Sequence, residues 1–308
     1  MPTSDITAII LSYNEEIHIA RCIARIRDHV RRIVVVDSGS TDRTVELARA
    51  AGAEVYTHLF VNQAQQFNWA LANVSVETGW ILRLDSDEYL DAAALNWLER
   101  IDRLPAHVAG VEFRLKVIFK EKFIRFGGYY ATDLVRLWRT GKGRIEARWM
   151  DERTVVDGQV ARAAGTLVDE NLNSIGWWTD KHNRYASRHV LEMTMLRHFA
   201  DRYHDDDVRL LSRKARIKRF MRNRVYLRFP LLLRPLLYWI YRYFILLGFL
   251  DGRLGLVWHF LHGYWYYMLI DTKLIEADRI LMRHGEAALI EHFRKVHGIS
   301  VDRIGDFA

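Results

Sequence analysis

Trp80-Ile81-Leu82-Arg83-Leu84-Asp85-Ser86-Asp87-Glu88 is the stretch that decides how this chain is read. A short, mainly apolar run ends abruptly in acids, the pattern of a strand covered on both faces with a polar tip. Aspartates two residues apart at such a tip can both reach a divalent cation, directly or through water. Oxygen ligands with open positions suit Mg²⁺ or Mn²⁺ bridging a diphosphate. Taken alone, an aspartate pair is more often a turn or a cap, so its weight comes from the residues upstream.

Upstream, strand and helix signals alternate. Ile6-Thr7-Ala8-Ile9-Ile10-Leu11 reads as a buried strand. Ser12 and Asn14 are placed to cap a helix over residues 15–27, with Ile17, Ile19, Ala20, Ile23 and Ile26 on its apolar side. Ile33-Val34-Val35-Val36 is a second strand ending at Asp37, followed by the turn Ser38-Gly39-Ser40. Thr41 or Asp42 then caps a helix running to Ala51, and Gly52 ends it. A strand over 53–57 and a helix over 62–73 complete the approach to Trp80. Such an order predicts an α/β fold with a largely parallel sheet. Its polar clusters gather at the carboxyl ends of the strands, where open α/β sheets bind ligands. Asp37 is placed to accept from a base N–H or a ribose hydroxyl, because Asp42 already serves the turn. No G-x-G-x-x-G turn follows the first strand, which argues against a dinucleotide-dependent dehydrogenase.

Downstream the pattern changes. Residues 110–167 are strand-like and broken by glycines, and from Gly176 the chain reads helical. We place a boundary near residue 205, with an α/β catalytic domain over 1–205 and a helical region over 206–308. The 308 residues carry a net charge of +7, and residues 208–250 contain no acid but eleven Lys and Arg, from Arg209 to Arg242. A block of one sign calls for an anionic partner. The apolar stretches 231–250 and 254–270 are interrupted by Arg234, Pro235, Arg242, His259 and His262 and are rich in Tyr and Trp. Clean spanning helices need about 20 apolar residues, so these segments fit better as interfacial or re-entrant helices at an anionic membrane. The same aromatic, apolar tract makes nucleic acid an unsuitable partner. A single cysteine, Cys22, excludes an internal disulfide framework. The first apolar run follows Asp5 rather than a basic segment, so no secretory signal is expected. The expected location is the cytosolic face of the inner membrane, peripheral or monotopic.

Three motifs carry a family resemblance: Ile9-Ile10-Leu11-Ser12-Tyr13-Asn14-Glu15-Glu16, Val34-Val35-Val36-Asp37-Ser38-Gly39-Ser40-Thr41-Asp42-Arg43-Thr44, and Leu84-Asp85-Ser86-Asp87-Glu88. In order and spacing they resemble glycosyltransferase family 2 of the GT-A fold, strongly over residues 5–100 and more loosely to 200. Within the family the chain is most similar to bacterial enzymes of lipopolysaccharide core and surface polysaccharide synthesis. The resemblance implies that Ser12, Asn14 and Glu15 line a nucleotide pocket, that Asp37 holds the base, and that Asp85 and Asp87 manage diphosphate and metal. It also implies an inverting transfer of a sugar, a hexose, from a uridine-linked donor to a lipid-linked saccharide or lipopolysaccharide. A polyprenyl-phosphate glycosyltransferase is the narrower alternative. One departure stands out: Phe67 occupies the position where many members carry a basic residue facing the diphosphate. Arg83 or Arg184 is the candidate replacement. The family's base falls at Asp151-Glu152, with Glu152 favoured over Asp151; the plainer reading is a surface acid pair opposing Arg148 and Arg153. Trp177 and Trp178 are candidates for stacking on sugar or lipid, and Lys181, His182 and Arg184 for phosphate contact. Paired tryptophans and a lone histidine are nevertheless more often packing residues.

Overall fold

The computed structural model describes residues 4–202, 217, 220, 226, 229–302 and 304. They form two compact units: Met1–Glu146 with Arg153–Asn173, and Ala147–Glu152 with Ser174–Ala308. The division after residue 173 lies earlier than the boundary near 205 read from the sequence. The helix after it, α5 (Ile175–His198), packs along the last long helix, α8 (Tyr266–His297). Lys273 Nζ donates to the Asn183 carbonyl at 3.0 Å and His198 meets Asp278 at 2.8 Å.

The first unit is a mixed α/β fold of GT-A type, helices flanking a central sheet. Its elements begin β1 (Ser4–Ser12), α1 (Ile19–Ile26), β2 (Val30–Asp37), α2 (Thr44–Ala50), β3 (Glu54–Thr57), α3 (Gln63–Asn73) and β4 (Trp80–Asp85). Then come β5 (Glu88–Leu90), α4 (Ala92–Leu98), β6 (Val108–Phe119), β7 (Lys122–Ile124), β8 (Asp133–Arg139), β9 (Gly143–Ile145), β10 (Thr154–Val156) and β11 (Gln159–Glu170). The strand order is β3-β2-β1-β4-β8-β6-β11-β5, with β7 on β6 and a separate β9–β10 hairpin. The four strands anticipated from the first hundred residues are parallel. The later strands add antiparallel pairs at β4–β8, β6–β8 and β11–β5, so the complete sheet is mixed.

Strand alternation explains why the β1 run is apolar throughout. Ile6, Ala8 and Ile10 join Ile19, Cys22, Ile23 and Ile26 of α1 in one core. Ile9 joins Val34, Val36, Phe67 and Ala70 in the core on the other face. Burying such a side chain contributes about 1.5–3 kcal/mol, so a two-sided core fixes the register of β1 strongly. Helix α1 begins later than its pattern suggested. Its N-cap is His18, without a side-chain cap bond, and Ile17 is 46% exposed rather than part of the core.

In the second unit, α5 and α8 accompany α6 (Leu233–Ile240) and α7 (Gly252–Phe260), joined by π turns over Tyr241–Ile245 and Leu261–Trp265. Of the basic block, all but Arg234 and Arg242 lie outside the described residues.

Gly165 shows how tightly α4 seats on β11. Its φ is +85°, and a Cβ there would lie 2.2 Å from the Ala94 amide nitrogen. The adjoining cap is also tied down: Asp91 accepts from Ala94 N–H at 2.9 Å and from Thr166 Oγ1 at 2.7 Å. Gly165→Ala is therefore expected to destabilise the protein by at least about 2 kcal/mol. Urea unfolding checks this; a midpoint equal to wild type would contradict it.

Candidate functional site

The registers of the central strands put three polar tips side by side. Ser12 pairs with Asp37 across β1–β2, and Asp85 sits opposite Leu11 across β1–β4. Asp37 is 1% exposed. Its carboxylate accepts from Ser12 Oγ at 2.9 Å, Gly39 N–H at 2.9 Å, Ser40 N–H at 2.8 Å and Ser40 Oγ at 2.5 Å. A carboxylate offers about four acceptor directions, and the turn uses them. The expectation that Asp42 relieves Asp37 of turn duty is thus corrected: Asp42 holds Thr44 N–H at 2.9 Å, and Asp37 holds residues 38–40 as well. Any base N–H or ribose hydroxyl donating to Asp37 has to share its oxygens with these donors.

The first loop is locked to the second by the same kind of bond. Asn14 has φ +53° and does not cap α1. Its N–H donates to Ser40 Oγ at 2.8 Å, and its Oδ1 accepts from Thr41 N–H at 2.8 Å. Glu15 N–H donates to Thr44 Oγ1 at 2.7 Å, and Glu15 Oε2 meets His18 Nδ1 at 2.5 Å. Because His18 Nε2 accepts from Leu172 N–H at 2.9 Å, Nδ1 carries the ring proton and donates to Glu15.

The acids after β4 sit among cations and amides. Asp85 accepts from Gln63 Nε2 at 3.1 Å and from Arg136 Nη2 at 3.3 Å, and Arg83 Nε lies 4.0 Å away. Buried Glu88 accepts from the Asp85 N–H at 3.0 Å and from Arg136. Burial pushes the Glu88 carboxyl up to about 7, opposed chiefly by Arg136. Ser86 Oγ donates to the Leu11 carbonyl at 2.7 Å, and Asn171 Nδ2 to Asp87 Oδ2 at 2.9 Å. Burial also drives the Cys22 thiol well above its ordinary range, with the nearby acids adding to it, so Cys22 is an inert core residue. Phe67 is fully buried, confirming that α3 offers no cation at that position. The Arg83 guanidinium lies over its ring at 5.5 Å, and Arg136 brings a second positive charge from β8.

Sequence reading missed Arg136, Gln63 and Asn171. Arg136 had one signal, an arginine set into the apolar strand Leu134-Val135-Arg136-Leu137-Trp138; the other two reach the acids only through tertiary contacts. Among the described residues no group of three or more His, Cys, Asp or Glu is arranged to hold a metal. Asp85 and Asp87, both partly exposed, offer oxygen ligands only. That suits Mg²⁺ or Mn²⁺ arriving with diphosphate oxygens.

Asp151 and Glu152 belong to the second unit. They lie in the loop of the β9–β10 hairpin, closed where Glu146 N–H donates to the Arg153 carbonyl at 2.9 Å. Arg148 is buried against Glu192 of α5, which also accepts from Met150 N–H at 2.9 Å. Asp151 has φ +55°, is 57% exposed, and lies 4.0 Å from His189 Nε2. Glu192 and His189, one turn apart on α5, were not singled out in the sequence. Trp178 is buried and stacked on His182 at 3.5 Å, and His182 Nδ1 bonds the Trp178 carbonyl at 2.9 Å. Burial lowers the His182 imidazole to about 4. Both are packing residues, whereas Arg184 is exposed on α5. Ser12, Asn14, Glu15, Asp37, Asp85 and Asp87 thus gather at one edge of the first unit's sheet, and Asp151, Glu152 and Arg184 are carried by the helical unit.

Residues 7–143 match the family model described as glycosyl transferase family 2. The match lies wholly within the first unit. An uncharacterized glycosyltransferase of Rickettsia bellii is 33% identical over 99 residues, 32% of this chain and 33% of the relative. The chain thus matches about a third of the length of the first curated relatives. The lipopolysaccharide core biosynthesis glycosyltransferase LpsC of Rhizobium meliloti is 27% identical over 199 residues, 61% of this chain and 71% of the relative. Among solved structures, glucosyl-3-phosphoglycerate synthase from Mycobacterium tuberculosis is 24% identical with a TM-score of 0.31. It covers 37% of this chain and 44% of that one, too partial a likeness to argue from.

Within the first unit, Arg136 should matter first for stability. Removing one partner of a buried ion pair costs about 3–5 kcal/mol, so Arg136→Met should lower the urea midpoint sharply. Gln63→Ala, which relieves only a partly exposed carboxylate, should cost no more than about 1 kcal/mol. Equal effects would mean that Arg136 does not hold Glu88.

Proposed function

We propose that this chain is an inverting, metal-dependent glycosyltransferase. It moves a hexose from a uridine-linked nucleoside diphosphate to a lipid-linked saccharide or lipopolysaccharide. The acceptor is met at the cytosolic face of the membrane, where the protein is peripheral or monotopic. The observation that carries the reading is the convergence of the β1, β2 and β4 tips, with the partly exposed acids Asp85 and Asp87 beside loops locked by Asp37 and Asn14. The match to LpsC over 71% of that relative supports the acceptor class.

Loops 12–15 and 38–41 are cross-linked before any ligand arrives, so a nucleotide would meet a pre-organised edge. Asp85 and Asp87 would hold a Mg²⁺ or Mn²⁺ ion, which supplies charge neutralisation for the departing diphosphate. Arg83 and Arg136 hold Asp85 in place from the sheet side. The acceptor hydroxyl needs a base as it attacks the anomeric carbon, and the Asp151–Glu152 pair supplies it, Glu152 foremost. Charge then develops as in an oxocarbenium ion.

Screening nucleotide sugars for turnover with Mg²⁺ or Mn²⁺ defines the donor. With that donor, Asp87→Ala or chelation by EDTA should lower turnover by at least about a hundredfold; unchanged transfer by Asp87→Ala sinks the metal assignment. Glu152→Ala should reduce kcat by about a hundredfold or more, with a smaller change in the donor KM. Near-normal kcat in both Glu152→Ala and Asp151→Ala would instead point to a phosphate acceptor, which needs no strong base.

A further inference from the structure

In the segment formed by residues 229–260 and the start of α8, the usual distribution of polarity is reversed. Two pairs of polar groups are buried inside, while Arg253 is exposed. Arg234 is 2% exposed and Asp271 fully buried, and they pair through Arg234 Nε and Asp271 Oδ1 at 2.8 Å. The same carboxylate accepts from Leu232 N–H at 2.8 Å. Asp251 and His259, also buried, meet at 3.2 Å. The apolar groups are outside: most of the exposed large apolar side chains of the described chain fall here, among them Leu233, Leu237, Phe244, Ile245, Leu250 and Leu256. In water the hydrophobic effect drives the opposite arrangement, and a contiguous apolar surface of this kind marks a contact with lipid or protein.

The backbone serves the same outward presentation. Leu232 and Leu247 both sit in the left-handed region, with φ of +67° and +59°, at the two ends of the α6 arm. Leucine adopts that conformation only when the surroundings enforce it, and at Leu232 the buried Asp271 carboxylate is the enforcing group. The arm Leu233–Ile245 and the helix Gly248–His297 are bent by 70°, and together they have the hydropathy of a membrane segment. Among the described residues no single helix is long and apolar enough to cross a membrane. At 1.5 Å per residue the α6 arm is about 20 Å long, short of the roughly 30 Å hydrocarbon core.

We infer that residues 229–260 form a re-entrant wedge that enters one leaflet of a bilayer and turns back, its buried ion pairs holding the bend. The occupant of the apolar face is lipid. A folded protein partner would have to cover both arms of the bend, whereas a leaflet covers them together. In the sequence the acid-free run from 208 to 250 carries nine Lys and Arg before residue 229, and such a basic stretch adds attraction to anionic headgroups. The inference gives a specific form to the membrane contact in the proposed function, and it is read without donor or acceptor. Wild-type protein that binds vesicles but turns over no nucleotide sugar would sink the transferase reading alone.

The experiment is flotation of the full chain with vesicles of phosphatidylcholine, alone and mixed with phosphatidylglycerol, at low and high salt. Wild type should float with both, more at low salt with the anionic mixture, and should keep binding at high salt. Two paired variants, Leu237→Glu with Phe244→Glu on the first arm and Leu250→Glu with Leu256→Glu on the second, replace exposed side chains. They should retain the wild-type circular dichroism and lose at least about tenfold in vesicle partitioning. Brominated acyl chains should quench tryptophan fluorescence in wild type and not in the variants. Wild-type binding confined to anionic vesicles and abolished by salt would overturn the wedge, as would either folded variant floating like wild type. A wild-type dimer that fails to float, and that the same substitutions convert to monomer, would overturn it in favour of a second copy of the chain.

Discussion

Acidic side chains crowd the carboxyl edge of the sheet, and a carboxylate withdrawn from water needs donors to replace those it loses. Asp37 takes four, and in doing so closes the 38–40 turn and ties it to Ser12. Glu88 takes the Asp85 amide and Arg136, which fixes the backbone at the start of the Asp85-Ser86-Asp87 turn. Asp87 takes Asn171, on the segment just after β11. Loops from distant parts of the sequence are drawn to one place because each brings a donor that a neighbouring acid requires.

This constraint separates two kinds of acid that look alike in sequence. Asp37 and Glu88 are almost fully enclosed and build the edge. Asp85 and Asp87 are only partly covered; Asp85 accepts from Gln63 and Arg136, and Asp87 from Asn171. The helical unit treats charge in a related way. Glu192 uses one oxygen for Arg148 and the other for the Met150 amide, so a buried helix residue sets the loop that presents Asp151 and Glu152. Around residues 229–260 the pattern is turned outward: Arg234 pairs with Asp271 and Asp251 with His259 inside, and the exterior is mainly apolar, Arg253 excepted.

The parallel half of the sheet was legible because its strands are covered on both faces. Ile6 to Leu11 and Ile33 to Val36 are apolar without alternation, as such strands must be. The polar tips at Ser12, Asp37 and Asp85 were legible for the same reason, since a buried run that ends in polar residues has reached an edge. The later strands were harder. Residues 110–167 alternate in ways compatible with several pairings, and only long-range register inserts β8 between β4 and β6. The α1 cap was misread because Ser12 and Asn14 bond to the second loop rather than to their own helix.

What the sequence determined by itself is what local patterning encodes: the order of strands and helices, the polar edge, the acid-free basic block and the aromatic apolar tail. Periodicity and composition are properties of neighbouring residues, so a reader of the chain alone can recover them. Tertiary structure alone decided that Asp37 is spent on its own turn and that Arg136 and Asn171 attend the acids. It likewise decided that Arg148 pairs with Glu192, and that Arg234 with Asp271 and Asp251 with His259 are buried in the tail. Each of these depends on which donor comes within hydrogen-bonding distance of which buried carboxylate, and such partners lie up to 84 residues apart along the chain.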